Sequence, residues 1–239
     1  MRGLQLHELR NKVPMRTHSL PCFIGLSALL STLLAATSAA AADVTVGGPN
    51  GEYATLQEAV DALEPLLSTT TDLQRIRIVH DNIAKPGATF TVPANGSLTI
   101  SGGWNEDFSA TTGGKSSLTF AASAPRVLHP TVESGATLIL RDLQVVGASG
   151  DVNAVAMFLS AEGGETTLQR VSVASCQGTA EAVVRVATSN DANVSFDDVA
   201  FQNNTVSTTA PSASVTGAAL KINHNSSGLV SLYAVRAIS

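Results

Sequence analysis

Apolar positions in the second half of the chain recur in four segments that share one pattern. The anchor residues of these segments follow one another in steps of 28, 28 and 36 along the chain: Leu140, Leu168, Phe196 and Leu232. A second apolar strand precedes each of the last three anchors at one constant interval, at Phe158, Val186 and Ile222. Fixed-period similarity of short strand-like segments is typical of stacked repeats rather than of a domain with one closed core.

Within each repeat the apolar positions step by two, then by three, then by two. Leu138, Leu140, Leu143 and Val145 show this pattern. Steps of two place side chains on one face of a strand, and the step of three indicates a bend, at Arg141-Asp142 in one repeat and at Asp197-Asp198 in another. Two strands that meet at this corner, with a third from the Phe158 series, predict a three-sided coil. The interpretation is an all-β parallel β-helix, a solenoid with aliphatic stacks along its interior.

The longer last interval predicts an insertion within Thr205 to Thr216. We expect it to form a loop at one corner, either a binding loop or simply a solvated Ser/Thr segment. Before the regular repeats, Ile100, Phe120 and Leu140 are equally spaced and closer together than the later anchors, which predicts shorter early coils.

An amphipathic helix is predicted before the first coil. Apolar residues in Glu52 to Leu67 fall at helical spacing, and Thr55 with Glu58 forms a capping-box pattern. Pro65 is expected to end or kink this helix near Glu64. Such a helix would cover the open end of the solenoid, whose strand edge would otherwise be unpaired.

The first 42 residues have the order of a secretory signal peptide. Basic residues precede an apolar stretch from Leu20 to Ala36, and small residues with an A-x-A-like cleavage site lead to Asp43. The alternative is an uncleaved membrane anchor, although the stretch is short for a span. The predicted organisation is a signal peptide at 1–42, a cap with a helix at 43–72 and coils at 73–239.

Removal of this leader makes the chain more acidic. It carries four of the 14 basic and one of the 19 acidic residues, which leaves 10 basic and 18 acidic residues and a net charge of −8. This charge disfavours nucleic acid or an anionic membrane as a partner, and it allows calcium sites without requiring them. No membrane-spanning segment is expected within 43–239. The one remaining cysteine, Cys176, is predicted to be a small core residue.

Three segments carry a family resemblance. The stretch VGGPNGEYATLQEAVDAL, from Val46, resembles the N-terminal cap of pectin-lyase-like right-handed parallel β-helix proteins. GGWNEDFS, from Gly102, and FQNNT with the later GAALKI, from Phe201 and Gly217, are similar to repeats of bacterial polymorphic outer-membrane and autotransporter-like surface proteins. The resemblance implies a right-handed solenoid. It does not imply one activity, because this scaffold carries lyases, hydrolases, esterases and adhesins.

Paired carboxylates are the first candidates for chemistry on polysaccharides, and Asp197 with Asp198 is the only adjacent acidic pair in the repeats. A structural interpretation competes with this one. Asp142, Arg170 and Asp198 occupy the same position in successive coils, which predicts a ladder of alternating charge at one corner.

Further weak candidates for sugar or calcium binding are Trp104, Glu106, Asp107 and Tyr233. The histidines are isolated, and no metal-site or catalytic-triad motif is present. Asn203 and Asn204 follow a strand end, where asparagine tolerates left-handed geometry and bonds the backbone of neighbouring coils.

These observations favour an exported surface or secreted module with a binding or structural, adhesin-like role. Its partner would be a polysaccharide or a host or cell-surface ligand, and its location the bacterial outer membrane or the extracellular space. The alternative is a carbohydrate-active enzyme, a lyase or hydrolase that acts on acidic polysaccharide. The repeat pattern runs almost to Ser239 without a cap, which predicts either further coils beyond this residue or pairing of this end with another chain.

Overall fold

The computed structural model describes residues 41–81, 83–120, 126–150, 154–178, 182–206 and 218–238. All but two residues of the predicted signal peptide lie outside these ranges, as do Ser239 and most of the predicted loop between Thr205 and Thr216.

Within these ranges the chain forms one helix, α1 (Leu56–Leu67), and is otherwise built from short strands. In chain order the strands are β1 (Asp43–Val46), β2 (Leu73–Val79), β3 (Lys85–Pro86), β4 (Ala88–Val92), β5 (Ser97–Trp104), β6 (Ser116–Thr119), β7 (Leu128–Val132), β8 (Thr137–Arg141), β9 (Leu143–Val146), β10 (Ser149–Gly150), β11 (Met157–Glu162), β12 (Glu165–Gln169), β13 (Ser172–Ala174), β14 (Gln177–Gly178), β15 (Ala182–Asn190), β16 (Asn193–Asp197), β17 (Ala200–Gln202), β18 (Thr205–Val206), β19 (Ala218–Ser226), β20 (Val230–Tyr233) and β21 (Arg236–Ile238).

These described strands pair only in parallel and form four sheets. Sheet A has the order β1-β2-β5-β8-β12-β16-β20, sheet B β21-β17-β13-β9-β6-β3, sheet C β19-β15-β11-β7-β4, and sheet D β10-β14-β18. From β8 onwards the chain enters sheets A, B, D and C in turn and then returns to A. This order is that expected of an all-β parallel solenoid. No helix in the described ranges is long and apolar enough to cross a membrane.

The predicted anchor residues stack in sheet A. Leu140, Leu168 and Phe196 are neighbours in register on β8, β12 and β16, and all three are buried. Leu232 pairs with Phe196 but is 54% exposed, because no described strand covers its other side.

The stack in sheet C differs from the prediction by one residue. Leu159, not Phe158, pairs with Val186, which pairs in turn with Ile222. Phe158 pairs with Arg185 and lies on the outer face, so its assignment to the core was wrong.

The cause is a shorter turn. Glu162 to Glu165 is one residue shorter than the equivalent connection from Ser189 to Asn193. Gly163 accommodates this turn with φ 97°, a value that side chains disfavour. Phe158 and Val186 lie at the same interval before their anchors in the sequence. Because of the shorter turn, however, they are not in register with each other in sheet C.

The predicted early coils were also wrong in length. Ile76 pairs with Ile100, and Ile100 pairs directly with Leu140. The first of these coils is therefore shorter than the later regular repeats and the second is longer, and Phe120 does not belong to this stack.

Helix α1 begins with the predicted capping box, in which Thr55 accepts from the Glu58 amide and Glu58 accepts from the Thr55 amide. Its apolar face packs on β1, β2 and β4. The helix does not end near Glu64, which was one of the two expectations, but continues through Pro65 to Leu67. A proline in the last turn removes only one helical hydrogen bond, because it lacks a backbone N–H, so the helix tolerates it there.

The corner between sheets A and B is a single left-handed residue in each regular coil. Asp142, Arg170, Asp198 and Ala234 have φ values of 56°, 50°, 52° and 51°. The bends that the three-residue steps predicted at Asp142 and Asp198 therefore lie at these residues.

Candidate functional site

A cleft of about 390 Å³ lies beside the first of these corners. In the later coils one or two residues connect sheets A and B, whereas β5 and β6 are joined by residues 105–115. The cleft is lined by residues of this connection and of the next two coils: Trp104, Thr111, Gly113, Gly114, Arg141, Asp142 and Arg170.

The connection is attached firmly at its base. Ser116 Oγ accepts from the Gly103 amide at 2.9 Å and lies 2.8 Å from the Val79 carbonyl oxygen, to which it donates. A ring nitrogen of His80, Nδ1, lies 2.8 Å from the Lys115 carbonyl oxygen. A Cβ at Gly102 would lie 2.2 Å from the Asp142 carbonyl oxygen, so only glycine permits this approach. The cleft is therefore preformed.

Trp104 forms a fixed aromatic wall. Its Nε1 donates to Ser101 Oγ at 2.9 Å, and the Arg77 guanidinium lies 5.0 Å from the ring centroid. Arg77 is held by the Asp43 carboxylate at 2.8 Å and by the Phe108 carbonyl oxygen at 2.6 Å. The indole is thus oriented before any ligand arrives.

Arg141 supplies a cation to the same cleft. Its Nε is buried and has no hydrogen-bond partner among the described residues. A buried donor without an acceptor costs about 1–3 kcal/mol.

Asp142 and Arg170 form the opposite part of the lining. Arg170 Nε and Nη2 each donate to a different oxygen of Asp142 at 2.6 Å. These hydrogen bonds, and then the Asp142 charge, raise the pKa of Arg170. Both oxygens of this carboxylate are therefore engaged by Arg170.

A polar column leads away from the cleft along the outer face of sheet A. Arg141, Gln169, Asp197 and Tyr233 are neighbours in register on β8, β12, β16 and β20. Gln169 Nε2 donates to Asp197 Oδ2 at 3.2 Å. Neighbouring strands are about 4.8 Å apart, so the column extends roughly 14 Å.

The predicted charge ladder is present as two separate pairs. Asp142 binds Arg170, whereas Asp198 binds Arg236 at 2.5 Å. Lys115 joins this corner: burial lowers its pKa, and the nearby charges of Asp198 and Asp142 oppose that shift. Asp197 and Asp198 are thus engaged by Gln169 and Arg236, respectively.

Glu106 and Asp107 lie on the exposed part of the 105–115 connection and do not line the cleft. Ser109 donates to Asp107 from its hydroxyl at 2.7 Å and from its amide at 3.1 Å, and these bonds lower the pKa of Asp107. The described ranges contain no group of three His, Cys, Asp or Glu side chains that could hold a metal ion, and no calcium site is assigned.

Sequence reasoning missed Arg141 and Lys115 as site residues. A charged residue that alternates with buried leucines on β8 was the available signal.

Comparison with family models found no match, and the comparisons with curated proteins and with solved structures found none either.

Proposed function

We propose that this chain is an exported right-handed parallel β-helix, a surface or secreted binding module whose Trp104 cleft takes an acidic polysaccharide. The Trp104 cleft is the cavity described above, and its aromatic and charged lining residues are Trp104, Arg141, Asp142 and Arg170. The parallel pairing, the return to sheet A in each coil and the resemblance to pectin-lyase-like proteins support the fold. Helix α1, packed on β1 and β2, would be the N-terminal cap.

The observation that carries the proposal is the Arg141 guanidinium in one cleft with an oriented indole. The planar guanidinium of arginine matches the geometry of a carboxylate, and an aromatic ring offers a flat apolar surface. A uronate contains both complements, a carboxylate and a ring with an apolar face. The column from Gln169 to Tyr233 provides polar contacts for further sugar units.

Binding of a fluorescent oligogalacturonate tests this function. Arg141→Gln should weaken binding by about 10-fold or more, because a charge-assisted hydrogen bond is lost. Trp104→Ala should also weaken it. Arg236→Gln is the matched control, since it removes the same charge at an exposed site outside the cleft. Equal losses for Arg141→Gln and Arg236→Gln would refute a specific site, provided that circular dichroism shows both variants folded.

A second candidate is cleavage of the same polymer by β-elimination. It is favoured by Lys115, whose half-buried amine has a pKa lowered by burial and interacts with the charges of Asp142 and Arg170. A neutral amine could accept the proton from the carbon next to the uronate carboxylate. The electron pair left behind forms a carbon–carbon double bond as the bond to the leaving oxygen breaks, and this oxygen takes a proton from water. Unsaturated uronate would then absorb in the ultraviolet, and Lys115→Met would abolish this signal. No absorbance change with wild-type protein would leave binding as the function.

A further inference from the structure

A cationic and aromatic cluster lies on the outer face of sheet C, separate from the Trp104 cleft. It follows one line across four strands, from His129 on β7 through Phe158 on β11 and Arg185 on β15 to Lys221 on β19. We call these residues, together with Arg126, the Phe158 cluster. The prediction had placed Phe158 in the core, so this surface was not visible from the spacing.

Phe158 is the centre of the cluster. The His129 ring stacks on it, with centroids 5.1 Å apart and planes inclined by 26°. The guanidinium carbons of Arg126 and Arg185 lie 5.1 and 5.3 Å from the same centroid. One exposed-face aromatic ring therefore gathers three nitrogen-rich groups that carry or can acquire positive charge.

Arg185 is held in place from the next strand. With the Asn223 amide oriented so that its oxygen faces Arg185, this oxygen accepts from Nε at 3.1 Å and from Nη2 at 2.7 Å. Asparagine is neutral, so it positions the guanidinium without cancelling its charge. Positioning of this kind lowers the entropic cost of binding a ligand.

The positive groups of the Phe158 cluster repel one another when no ligand is bound. Burial and then the Arg185 charge lower the pKa of Arg126, and burial and then the Arg126 charge lower the pKa of His129. The second cause of each shift is repulsion between neighbouring charges. A bound anion would reduce this repulsion. The arrangement of the guanidiniums around the stacked rings also suits an anionic ligand.

We propose that the Phe158 cluster binds the sulfate groups of a sulfated glycan. A sulfate ester presents three oxygens in different directions, which suits donors that approach one ring from several strands, whereas one guanidinium saturates a carboxylate. The net charge of −5 for the whole chain opposes a densely charged polymer such as nucleic acid. A sparsely sulfated chain carries fewer charges, so the net charge of the protein opposes it less. The inference does not depend on the Trp104 cleft.

The test is binding of a fluorescent keratan sulfate hexasaccharide, which is sparsely sulfated and contains no uronate, to the full chain, beside its desulfated form and a single-stranded DNA hexamer. Arg185→Gln should weaken hexasaccharide binding by about 10-fold. Phe158→Leu should weaken it by about threefold, because the ring that places the guanidiniums is lost. Arg75→Gln, an exposed site on β2 in sheet A, is the control of equal charge and should change affinity less than twofold.

The outcomes separate this site from the cleft. Arg141→Gln should leave hexasaccharide binding unchanged while it reduces oligogalacturonate binding. Arg126→Gln provides a second cluster variant if Arg185→Gln does not fold. Equal loss in Arg75→Gln, wild-type affinity in the folded cluster variants, or equal binding of the desulfated glycan or the DNA would each overturn the proposal.

Discussion

The same corner of the solenoid occurs in the middle coils and in the last described coil, with different surroundings. In the middle, Asp142 binds Arg170 beneath the 105–115 connection, and its side chain is 14% exposed. At a later corner, Asp198 binds Arg236 of the last described coil, and its side chain is 41% exposed. The interior shows the same contrast between buried Phe196 and exposed Leu232.

This difference shows that the repeat pattern determines where each side chain lies, whereas the neighbouring coils determine how far it is buried and how much it contributes to stability. Register alone places Phe196 beside Leu232 and gives both corners the same backbone geometry. Only a coil on each side excludes water, and only a non-repeating connection converts a corner into a cleft. A function assigned to the repeat motif alone would therefore be assigned equally to corners without such a connection.

The largest expected effect is in the interior. Phe196→Ala should reduce the free energy of unfolding by about 3–5 kcal/mol, because it removes a fully buried ring between two coils. Leu232→Ala should cost below about 1 kcal/mol, since much of that side chain is already in water. Urea unfolding measures both, and equal losses would show that the last coil is covered in solution.

A smaller contrast is expected at the two ion pairs. Asp142→Asn should cost about 1 kcal/mol, because asparagine keeps the left-handed backbone but loses the bidentate ion pair. Asp198→Asn should cost roughly 0.2–0.5 kcal/mol because its pair is more exposed and better screened. Thermal denaturation at low and high salt measures both. A larger effect at Asp198 would contradict the comparison.

A pH-dependent contrast is expected at the Phe158 cluster. The folded state lowers the pKa of His129 below its ordinary value of 6.5, so the unfolded chain binds the proton more readily. This contribution to stability is present above pH 6.5 and is lost as the pH falls below it. His129→Gln should flatten the decrease in Tm between neutral and mildly acidic pH, and an unchanged slope would contradict it.

The smallest expected signal is at Cys176. Its thiol is buried in a middle coil, burial raises its pKa, and its amide donates to Asn204 Oδ1 of the next coil at 3.0 Å. We expect a thiol reagent to label it only as fast as the chain unfolds in urea. Rapid labelling in buffer would show that the middle coils open locally.

Local geometry was the most predictable part of the fold. The capping box at Thr55, the left-handed corner at Asp142 and the asparagine corner followed from the pattern of residue types. Asn203 has φ 51°, and Asn204 bonds the backbone of Cys176 and Val173. These features depend on a few adjacent residues, so the sequence contains the information needed to predict them.

The register of sheet C and the early coils could not be predicted. A one-residue change in a turn moves a side chain from the inner to the outer face, as it did for Phe158. The spacing of Phe120 similarly gave no sign that Ile100 pairs directly with Leu140. Pairing across long separations depends on which strands stack, and periodicity alone does not encode this.

The sequence by itself determined that short strands recur, that one helix precedes them and that the corners bend at Asp142 and Asp198. Alternation of apolar residues and turn chemistry are local properties, and they act before any long-range contact forms. Only the tertiary structure decided that Trp104 and Arg141 share a cleft and that Phe158 gathers two guanidiniums. These groups meet because parallel stacking joins residues that are distant in sequence, and a single residue in a turn changes which of them meet.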